Sequence, residues 1–240
     1  MKVSIIVPAF NEEKLLDASL AGLQAALRAF ERRGWKTELI VCDNNSTDRT
    51  AEIARAAGAN VIFEPFNQIA RARNTGAAAA TGDWLIFVDA DSHPSEELLA
   101  EVAERIAAGD CLAGGATIRL DEDLMVAGAI VRIWNLASRV GCWLAGSFIF
   151  VETSTFRRLG GFNGELFAGE ELEFSQRLKR LARQTGQRVV ILHRHPLVTS
   201  ARKMRLYTFK DHAGLLVRVA CNRRSLMRRE ACTLWYDGRR

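Results

Sequence analysis

The chain alternates short apolar runs with longer segments whose apolar residues recur at helical spacing. The runs lie at residues 3–8, 38–42, 61–63 and 84–88. Continuous apolar runs of this length are typical of strands buried on both faces of a parallel sheet. The segments between them carry leucines or small residues three and four positions apart, which indicates helices. Strands and helices in alternation predict an α/β domain with a mainly parallel central sheet and helices on both faces.

Polar residues after these runs predict where the helices begin. We expect Asn11 to cap the first helix and either Ser46 or Thr47 to cap the second. Ser95 is expected to cap the helix that runs to Ile106. Beyond residue 110 the alternation loosens, and the pattern predicts strands at 111–120, 148–151 and 188–192 and helices at 124–138 and 170–183.

Three of the predicted strands end in clusters of polar residues. The clusters are Pro8-Ala-Phe-Asn11, Asp43-Asn-Asn-Ser46 and Asp89-Ala-Asp91. Ligands bind at the carboxyl ends of parallel strands, so we expect the three clusters to meet at one edge of the sheet. Asp89 and Asp91 supply hard oxygen ligands of the kind that Mg²⁺ or Mn²⁺ prefers, and His93 adds an imidazole. The alternative is a solvated loop in which Asp91 faces the next helix.

Composition and charge narrow the range of functions. The chain has 240 residues, of which 48% are hydrophobic and 25% are charged, as in soluble globular proteins. No apolar run is long enough to span a membrane, no leader is expected, and five cysteines without a C-x-x-C pair favour a reducing cytoplasm. No glycine-rich phosphate loop follows the first strand, which argues against a dinucleotide-binding domain or a P-loop nucleotidase.

Basic residues are concentrated at the end of the chain. Residues 201–240 contain 11 Lys or Arg and only 3 Asp or Glu. This segment is predicted to contact an anionic partner such as the surface of a membrane, or to form a solvated closing helix. Just before it, His193 and His195 flank the end of the predicted strand 188–192. Arg202 and Lys203 are candidates for contact with a diphosphate or an anionic acceptor, and surface charge is the alternative.

Five motifs, in this order and spacing, resemble the family 2 glycosyltransferases of the GT-A fold. They are Ser4-Ile-Ile-Val-Pro-Ala-Phe-Asn-Glu12, Asp43-Asn-Asn-Ser-Thr-Asp48, Ala72-Arg-Asn-Thr-Gly76, Phe87-Val-Asp-Ala-Asp91, and Gly160-Gly-Phe162 with Gly169-Glu-Glu-Leu-Glu173. The resemblance covers about residues 3–195. It implies a metal-dependent enzyme, using Mn²⁺ or Mg²⁺, that moves a sugar from a nucleotide-diphosphate donor to an acceptor hydroxyl, with inversion in most members. A single domain, 1–240, would then comprise a nucleotide-sugar-binding half (1–110), an acceptor half (111–200) and a basic extension (201–240).

The resemblance assigns eight residues to the donor nucleotide: Pro8, Ala9, Phe10, Glu12, Asp43, Arg73, Asp89 and Ala90. Phe10 would stack on the base and Glu12 would approach the ribose. Asp43 would accept a hydrogen bond from the base, and its alternative role is to close the turn after the strand. Arg73 would face the nucleotide or its phosphates, and its alternative is an exposed helix charge. Asn44 replaces a family aspartate, so the nucleotide base stays open.

The resemblance also implies a metal site and a catalytic base. Asp91 would bind the metal directly, with Asp89 as a second ligand. His93 stands where related polyprenol-phosphate sugar transferases place a further ligand. Glu171 falls on the position of the base, where family members generally have Asp, and Glu170 is the adjacent alternative. The competing interpretation is that these glutamates only provide a favourable acidic first turn for a helix.

Two other functions compete with sugar transfer. A D-x-D phosphohydrolase would place its motif after the first strand with Thr or Val two residues later, whereas this motif follows the fourth strand and is followed by His93. A nucleic-acid-binding protein would use the basic segment 201–240 but would leave the acidic strand ends unexplained. We therefore expect a cytoplasmic enzyme, with the inner membrane face as a site of peripheral contact. Its partners would be a nucleotide-diphosphate sugar and a sugar or lipid-linked acceptor, without nucleic acid.

Overall fold

The computed structural model describes residues 1–122 and 125–202, together with Met227 and Cys232. The strands are β1 (Lys2–Ala9), β2 (Lys36–Asp43), β3 (Asn60–Phe63), β4 (Trp84–Val88), β5 (Ser92–His93), β6 (Cys111–Leu120), β7 (Phe148–Glu152) and β8 (Arg188–Thr199). The helices are α1 (Leu16–Ala26), α2 (Arg28–Glu31), α3 (Thr50–Ala56), α4 (Ile69–Ala79), α5 (Glu96–Ala108), α6 (Met125–Gly141), α7 (Thr153–Arg158) and α8 (Glu170–Thr185). Lys203 and nearly all of the basic extension lie outside the described residues.

The described strands form one sheet in the order β3-β2-β1-β4-β7-β6-β8-β5. Strands β1 to β4 are parallel to one another, as expected from their continuous apolar runs. Strand β7 enters antiparallel between β4 and β6, while β8 runs parallel to β6. The α/β architecture with a mostly parallel sheet is therefore confirmed. The antiparallel β7 lies in the part of the chain after residue 110, where the alternation of strands and helices loosens.

Strand β4 illustrates why its sequence is apolar throughout. Trp84, Ile86 and Val88 face one hydrophobic core, which helices α1, α2, α3 and α5 cover. Leu85 and Phe87 face a second core on the opposite side of the sheet, beneath α4, α7 and α8. Because successive side chains on a strand point to opposite faces, a strand covered on both sides needs apolar residues at every position.

Two predicted helix caps are wrong, and one is confirmed. Helix α1 begins only at Leu16 and α3 only at Thr50. The side chain of Asn11 instead accepts a hydrogen bond from the backbone N–H of Thr47, and its own N–H donates to Ser46 Oγ. These residues bridge the loops after β1 and β2 and so are not available to cap a helix. The cap predicted before α5 is confirmed, since the Ser95 hydroxyl accepts a hydrogen bond from Leu98 N at 3.2 Å.

The last described strand is longer than the sequence pattern predicts. Strand β8 continues to Thr199, where it pairs with the two-residue strand β5, which the sequence did not predict. His193 and His195 therefore lie within the strand rather than at its end. The chain leaves the sheet at Ser200, close to the backbone of Asp91. Among the described residues, no helix has the length and apolarity needed to cross a membrane.

Helix α4 packs closely against the sheet at Gly76, and this contact predicts an effect on stability. A Cβ at Gly76 would lie 2.6 Å from Ile6 Cγ2 on β1. We expect Gly76→Ala to lower the free energy of unfolding by ~1–3 kcal/mol through overpacking, although alanine favours helix. Gly128→Ala on α6 is the matched control, since beyond its own helix backbone and chain neighbours no described atom lies within 4 Å of its Cβ position. Urea denaturation of both variants checks this, and a Gly76→Ala protein as stable as Gly128→Ala would contradict the close packing.

Candidate active site

A small cavity of about 150 Å³ lies beyond the carboxyl end of β4. Its walls come from helix α4, the residues after β4, the loop before β7 and the start of helix α8. The polar groups at this cavity include those of Arg73, Asp89, Gly146, Glu170 and Glu171. Residues that are far apart in sequence thus meet at the sheet edge where the strand-end clusters were expected to lie.

Arg73 is the central cation of this cavity. It is only 1% exposed, so the alternative of an exposed helix charge is wrong. Its Nη1 donates to Glu170 Oε1 at 2.6 Å, and its Nη2 donates to Asp89 Oδ1 at 3.0 Å and to the Gly146 carbonyl at 2.8 Å. The guanidinium also lies over the ring of Phe162, 5.4 Å from its centroid. One side chain on α4 therefore joins the end of β4, the loop before β7 and the start of α8.

The residues next to Arg73 hold the glycine-rich loop before α8. Asn74 Nδ2 donates to the Phe162 carbonyl at 2.8 Å, and Phe162 N donates to Asn74 Oδ1 at 2.9 Å. Gly161, which directly precedes Phe162, has φ +72°, a conformation that favours glycine. Thr75 Oγ1 donates to Glu64 Oε2 at 2.6 Å. The Ala72–Gly76 motif therefore fixes the loops around the cavity as well as supplying its cation.

The two adjacent glutamates of α8 differ in environment. Glu170 is buried and hydrogen-bonded to Arg73. Glu171 is half-buried, and its pKa is raised to about 8 by burial and by the negative charge of Glu170, against the opposing effect of Arg73. Glu170 thus has a structural partner, whereas Glu171 has a pKa suited to exchanging protons near neutral pH.

A second arginine lies at two buried carboxylates. Arg202, just beyond β8, donates from Nη2 to both carboxylate oxygens of Glu12, each at 2.9 Å. The same nitrogen lies 3.7 Å from Asp91 Oδ2. Both Glu12 and Asp91 are buried, at 4% and 5% exposure. Arg202 therefore joins Asp91 to Glu12. The sequence had suggested Arg202 as a site residue only because of its positive charge.

The polar residues after β2 make local structural contacts. Asp43 Oδ1 accepts a hydrogen bond from Ser46 N at 3.0 Å, as the turn interpretation expects. Asn44 is buried, donates from Nδ2 to the Phe66 carbonyl at 2.7 Å and accepts from Gln68 N at 2.9 Å. Asn44 thus anchors the loop between β3 and α4. This role needs a side chain that both donates and accepts a hydrogen bond, as an amide does.

The remaining candidates lie at the ends of β1 and β4. Ala9 is paired in register with Asp43, and Phe10 beside it is half-buried. His93 lies on β5 with its Nδ1 3.9 Å from the position that a Cβ on Gly22 of α1 would occupy. The imidazole therefore lies against that helix. In contrast, Asp89 contacts Arg73, and Asp91 lies 3.7 Å from Arg202. Among these remaining candidates, Pro8, Ala9 and Ala90 are buried.

Sequence reasoning missed three groups near the cavity. The carbonyl of Gly146 gave no signal, because a backbone acceptor is invisible in a sequence. Asn74 lay inside a motif that was identified only for its arginine. Cys232 is buried, and its pKa is raised to about 11 by burial and by the charge of Glu170, so this residue of the basic extension lies near the start of α8.

Comparison with known proteins identifies the class that this fold and site define. A mannosyltransferase of Pyrobaculum calidifontis, solved with GDP-Man and Mn²⁺, superimposes with a TM-score of 0.67 at 22% identity, covering 90% of this chain and 60% of that one. At that identity the likeness shows the fold alone, which is the GT-A fold of glycosyltransferases.

The family follows from the sequence match. The model of glycosyl transferase family 2 matches residues 4–129, more than half of the chain, and the chain belongs to that family. An uncharacterized glycosyltransferase of Mycobacterium tuberculosis is 37% identical over 113 residues, 47% of each chain. The 4,4'-diaponeurosporenoate glycosyltransferase of Staphylococcus haemolyticus is 36% identical over 102 residues, which is 40% of this chain and 25% of that one. The chain spans about half the length of the first of these relatives.

The raised pKa of Glu171 predicts a pH dependence of stability. Its folded pKa of about 8 exceeds the ordinary value of 4.5, so between these values the folded protein holds a proton that the unfolded chain releases. The contribution to stability is fully present below about pH 4.5 and is lost as the pH rises through about 8. Glu171→Gln, which resembles the protonated carboxyl, should therefore melt above the wild type at pH 8.5, with a gap that narrows toward pH 5.

Calorimetric scans across this range measure the effect. Glu165→Gln, at an exposed glutamate in the loop before α8, is the matched control and should follow the wild type at every pH. A difference between Glu171→Gln and the wild type that stays constant with pH would contradict the assignment of the raised pKa.

Proposed function

We propose that the protein is an inverting, metal-dependent glycosyltransferase that moves a sugar from a nucleotide-diphosphate sugar to an acceptor hydroxyl. The observation that carries this proposal is one cavity that combines Asp89, held by Arg73, with Glu171, whose pKa is raised to about 8. Membership of glycosyl transferase family 2 supports the reaction and favours it over a phosphohydrolase. The Pyrobaculum complex with GDP-Man and Mn²⁺ supports the class of donor and ion.

The donor set after β4 fits a hard divalent cation. Asp89 and Asp91 supply carboxylate oxygens at the end of the strand, and His93 is a predicted further ligand. Within residues 1–122 and 125–202 no group of three or more His, Cys, Asp or Glu forms a ready-made metal cluster. Mg²⁺ is commonly held by only one or two carboxylates together with substrate phosphates, so Asp91 and Asp89 would suffice. When bound, the ion would stabilise the charge that develops on the departing diphosphate.

The chain's own residues would divide the remaining work. Glu171 would take the proton from the acceptor hydroxyl, a role that needs a pKa near the working pH. Attack by that hydroxyl in line with the departing diphosphate inverts the anomeric carbon. Arg73 would hold Asp89 and the start of α8 in place, since it is bonded to both. Arg202, which contacts Glu12 and lies 3.7 Å from Asp91, would meet the diphosphate.

The nucleotide would occupy the ends of β1 and β2. Pro8, Ala9 and Phe10 would border the base, and Glu12 would lie near the ribose. Asp43 has one carboxylate oxygen on Ser46 N, and its other oxygen would serve the base. Ala90, buried between the two aspartates, would let the donor approach the backbone closely. The acceptor would be a sugar or a lipid-linked molecule.

Removal of the charge of Asp91 should strongly lower donor turnover. Slow hydrolysis of UDP-, GDP- and dTDP-sugars with Mn²⁺ needs no acceptor and reports directly on the metal and donor site. We expect Asp91→Asn to lower this rate by at least ~100-fold, because loss of an electrostatic contact to the transition state has that order of effect. Asp17→Asn, at an exposed aspartate of α1, is the control and should retain the wild-type rate. Undiminished hydrolysis in EDTA, or by Asp91→Asn, would rule out the metal role.

The assignment of the base makes a separate prediction. Glu171→Gln should lower kcat by ~10²–10⁴-fold while donor binding is preserved, since a general base contributes about that much. The wild-type kcat/KM should rise with pH through about 8, and Glu171→Gln should lose this dependence.

Glu170→Gln is the comparison for the neighbouring glutamate. It loses the charge that pairs with Arg73 and should lower the melting temperature, unlike Glu171→Gln. If Glu170→Gln were stable but inactive and Glu171→Gln fully active, the base would be Glu170.

A further inference from the structure

Helix α6 presents an apolar face to solvent. Six large apolar side chains on it are between 40% and 92% exposed. From Val126 onward they recur three or four residues apart, so they form one stripe along the helix rather than isolated surface residues. A continuous exposed apolar stripe is a marker of an interaction surface. Its members are Met125, Val126, Ile130, Ile133, Leu136 and Val140.

The charged residues of α6 all have one sign and lie on one side of this stripe. Arg132 and Arg139 are exposed and seven residues apart, which places them on the same edge of the helix. The sequence of α6 contains no Asp or Glu. An apolar face with a basic edge is the pattern of helices that lie in the interface of an anionic membrane.

A second copy of the chain fits this surface less well. Two α6 helices packed antiparallel across their stripes would bring the arginine edge of one against the arginine edge of the other. In a parallel pair, the arginines would meet the opposite edge near Ile130, where α6 has no acidic residue either. Helices that pair with each other usually carry complementary charges on their flanking positions. Glu122 precedes α6 and lies in the wall of the groove beside it, but α6 itself carries only arginines, and lipid phosphates supply their counter-charge.

A groove of about 760 Å³ opens beside the stripe. Met125, Ala129 and Arg132 belong both to the exposed side of α6 and to the wall of this groove. Ile118 on β6 and Pro196 on β8 line its other side. Its wall also includes Arg119, Asn135 and one acidic residue, Glu122, so the groove combines apolar surface with a net positive lining. Such a lining suits an acyl or isoprenoid chain with an anionic head group.

The end of α6 leads directly to the candidate active site. Lys179 on α8 donates to the carbonyl of Gly141 at 2.7 Å, and its Nζ lies 3.7 Å from the centroid of the Trp143 ring. Five residues after the helix, the carbonyl of Gly146 accepts a hydrogen bond from Arg73. The C-terminal end of a docked α6 would therefore lie only five residues along the chain from the wall of the cavity.

We infer that α6 docks this apolar face on an anionic lipid bilayer. The six apolar side chains would enter the boundary between head groups and acyl chains, and Arg132 and Arg139 would contact lipid phosphates. The cavity would then be held next to acceptors that reside in the membrane. This inference rests on the surface of α6 and stands apart from the proposed reaction, because docking requires neither donor nor acceptor.

Sedimentation of the full chain with vesicles tests the inference. The vesicles are phosphatidylcholine alone or with phosphatidylglycerol, each at low and high salt. We expect the wild type to pellet only with the anionic vesicles, less so at high salt, since salt screens surface charge. Ile133→Gln with Val140→Gln should weaken binding at least tenfold, because glutamine keeps the helix but not the apolar contact. Phe63→Gln, at an exposed apolar residue of β3, should bind like the wild type.

The charge of α6 is tested against an equal loss of charge elsewhere. Arg132→Gln with Arg139→Gln should bind more weakly than Arg55→Gln with Arg183→Gln, whose arginines are exposed on α3 and α8. Melting temperatures and donor hydrolysis in solution, which should match the wild type, verify that these variants are folded.

Three results would overturn the inference. The first is a wild type that stays in the supernatant with every vesicle. The second is undiminished binding by the Ile133/Val140 variant, which would assign binding to another part of the chain. The third is a wild-type dimer by light scattering that becomes a monomer in that variant without vesicle binding, which would make the face an interface between copies.

Discussion

The burial of one guanidinium organises the candidate site. An arginine removed from water is tolerated only when carboxylates and carbonyls satisfy it, because the desolvation of its charge costs several kcal/mol. Arg73 draws these partners from the end of β4, the loop before β7 and the first turn of α8. Any arrangement that separated these elements would leave a buried charge without a partner, so Arg73 fixes their relative positions more strictly than apolar packing alone would.

The same ion pair explains why two glutamates stand side by side at the start of α8. Glu170 is held by the guanidinium, and its charge remains close to Glu171. Burial and this neighbouring charge raise the pKa of Glu171, which makes a carboxylate more basic than it would be in water. One residue of the pair thus has a structural role, and its presence tunes the other.

The sequence predicted those parts of the site whose geometry is local. Asp89 and Asp91 directly follow an apolar strand, and Glu171 occupies a helix start, so motif spacing was enough to locate them. The contact of Arg202 with Glu12 joins residues 190 positions apart and depends on where β8 leaves the sheet. Asn11 and Ser46 looked like helix caps because their side chains favour such positions, but the proximity of two strand ends let them bond to each other instead. Contacts of this kind follow from the packed sheet and leave no local pattern.

The charge balance of the candidate site supports the proposed need for a cation. Two described guanidinium groups, those of Arg73 and Arg202, face a larger set of carboxylates. A diphosphate entering such a site without a counterion would meet net repulsion, and the raised pKa of Glu171 relieves only one of these negative charges near neutral pH. A divalent cation at Asp91 would also weaken the hold of that carboxylate on Arg202 and leave the guanidinium nearer to the phosphates. This excess of carboxylates supports the metal dependence proposed above, and its members are Glu12, Asp89, Asp91, Glu170 and Glu171.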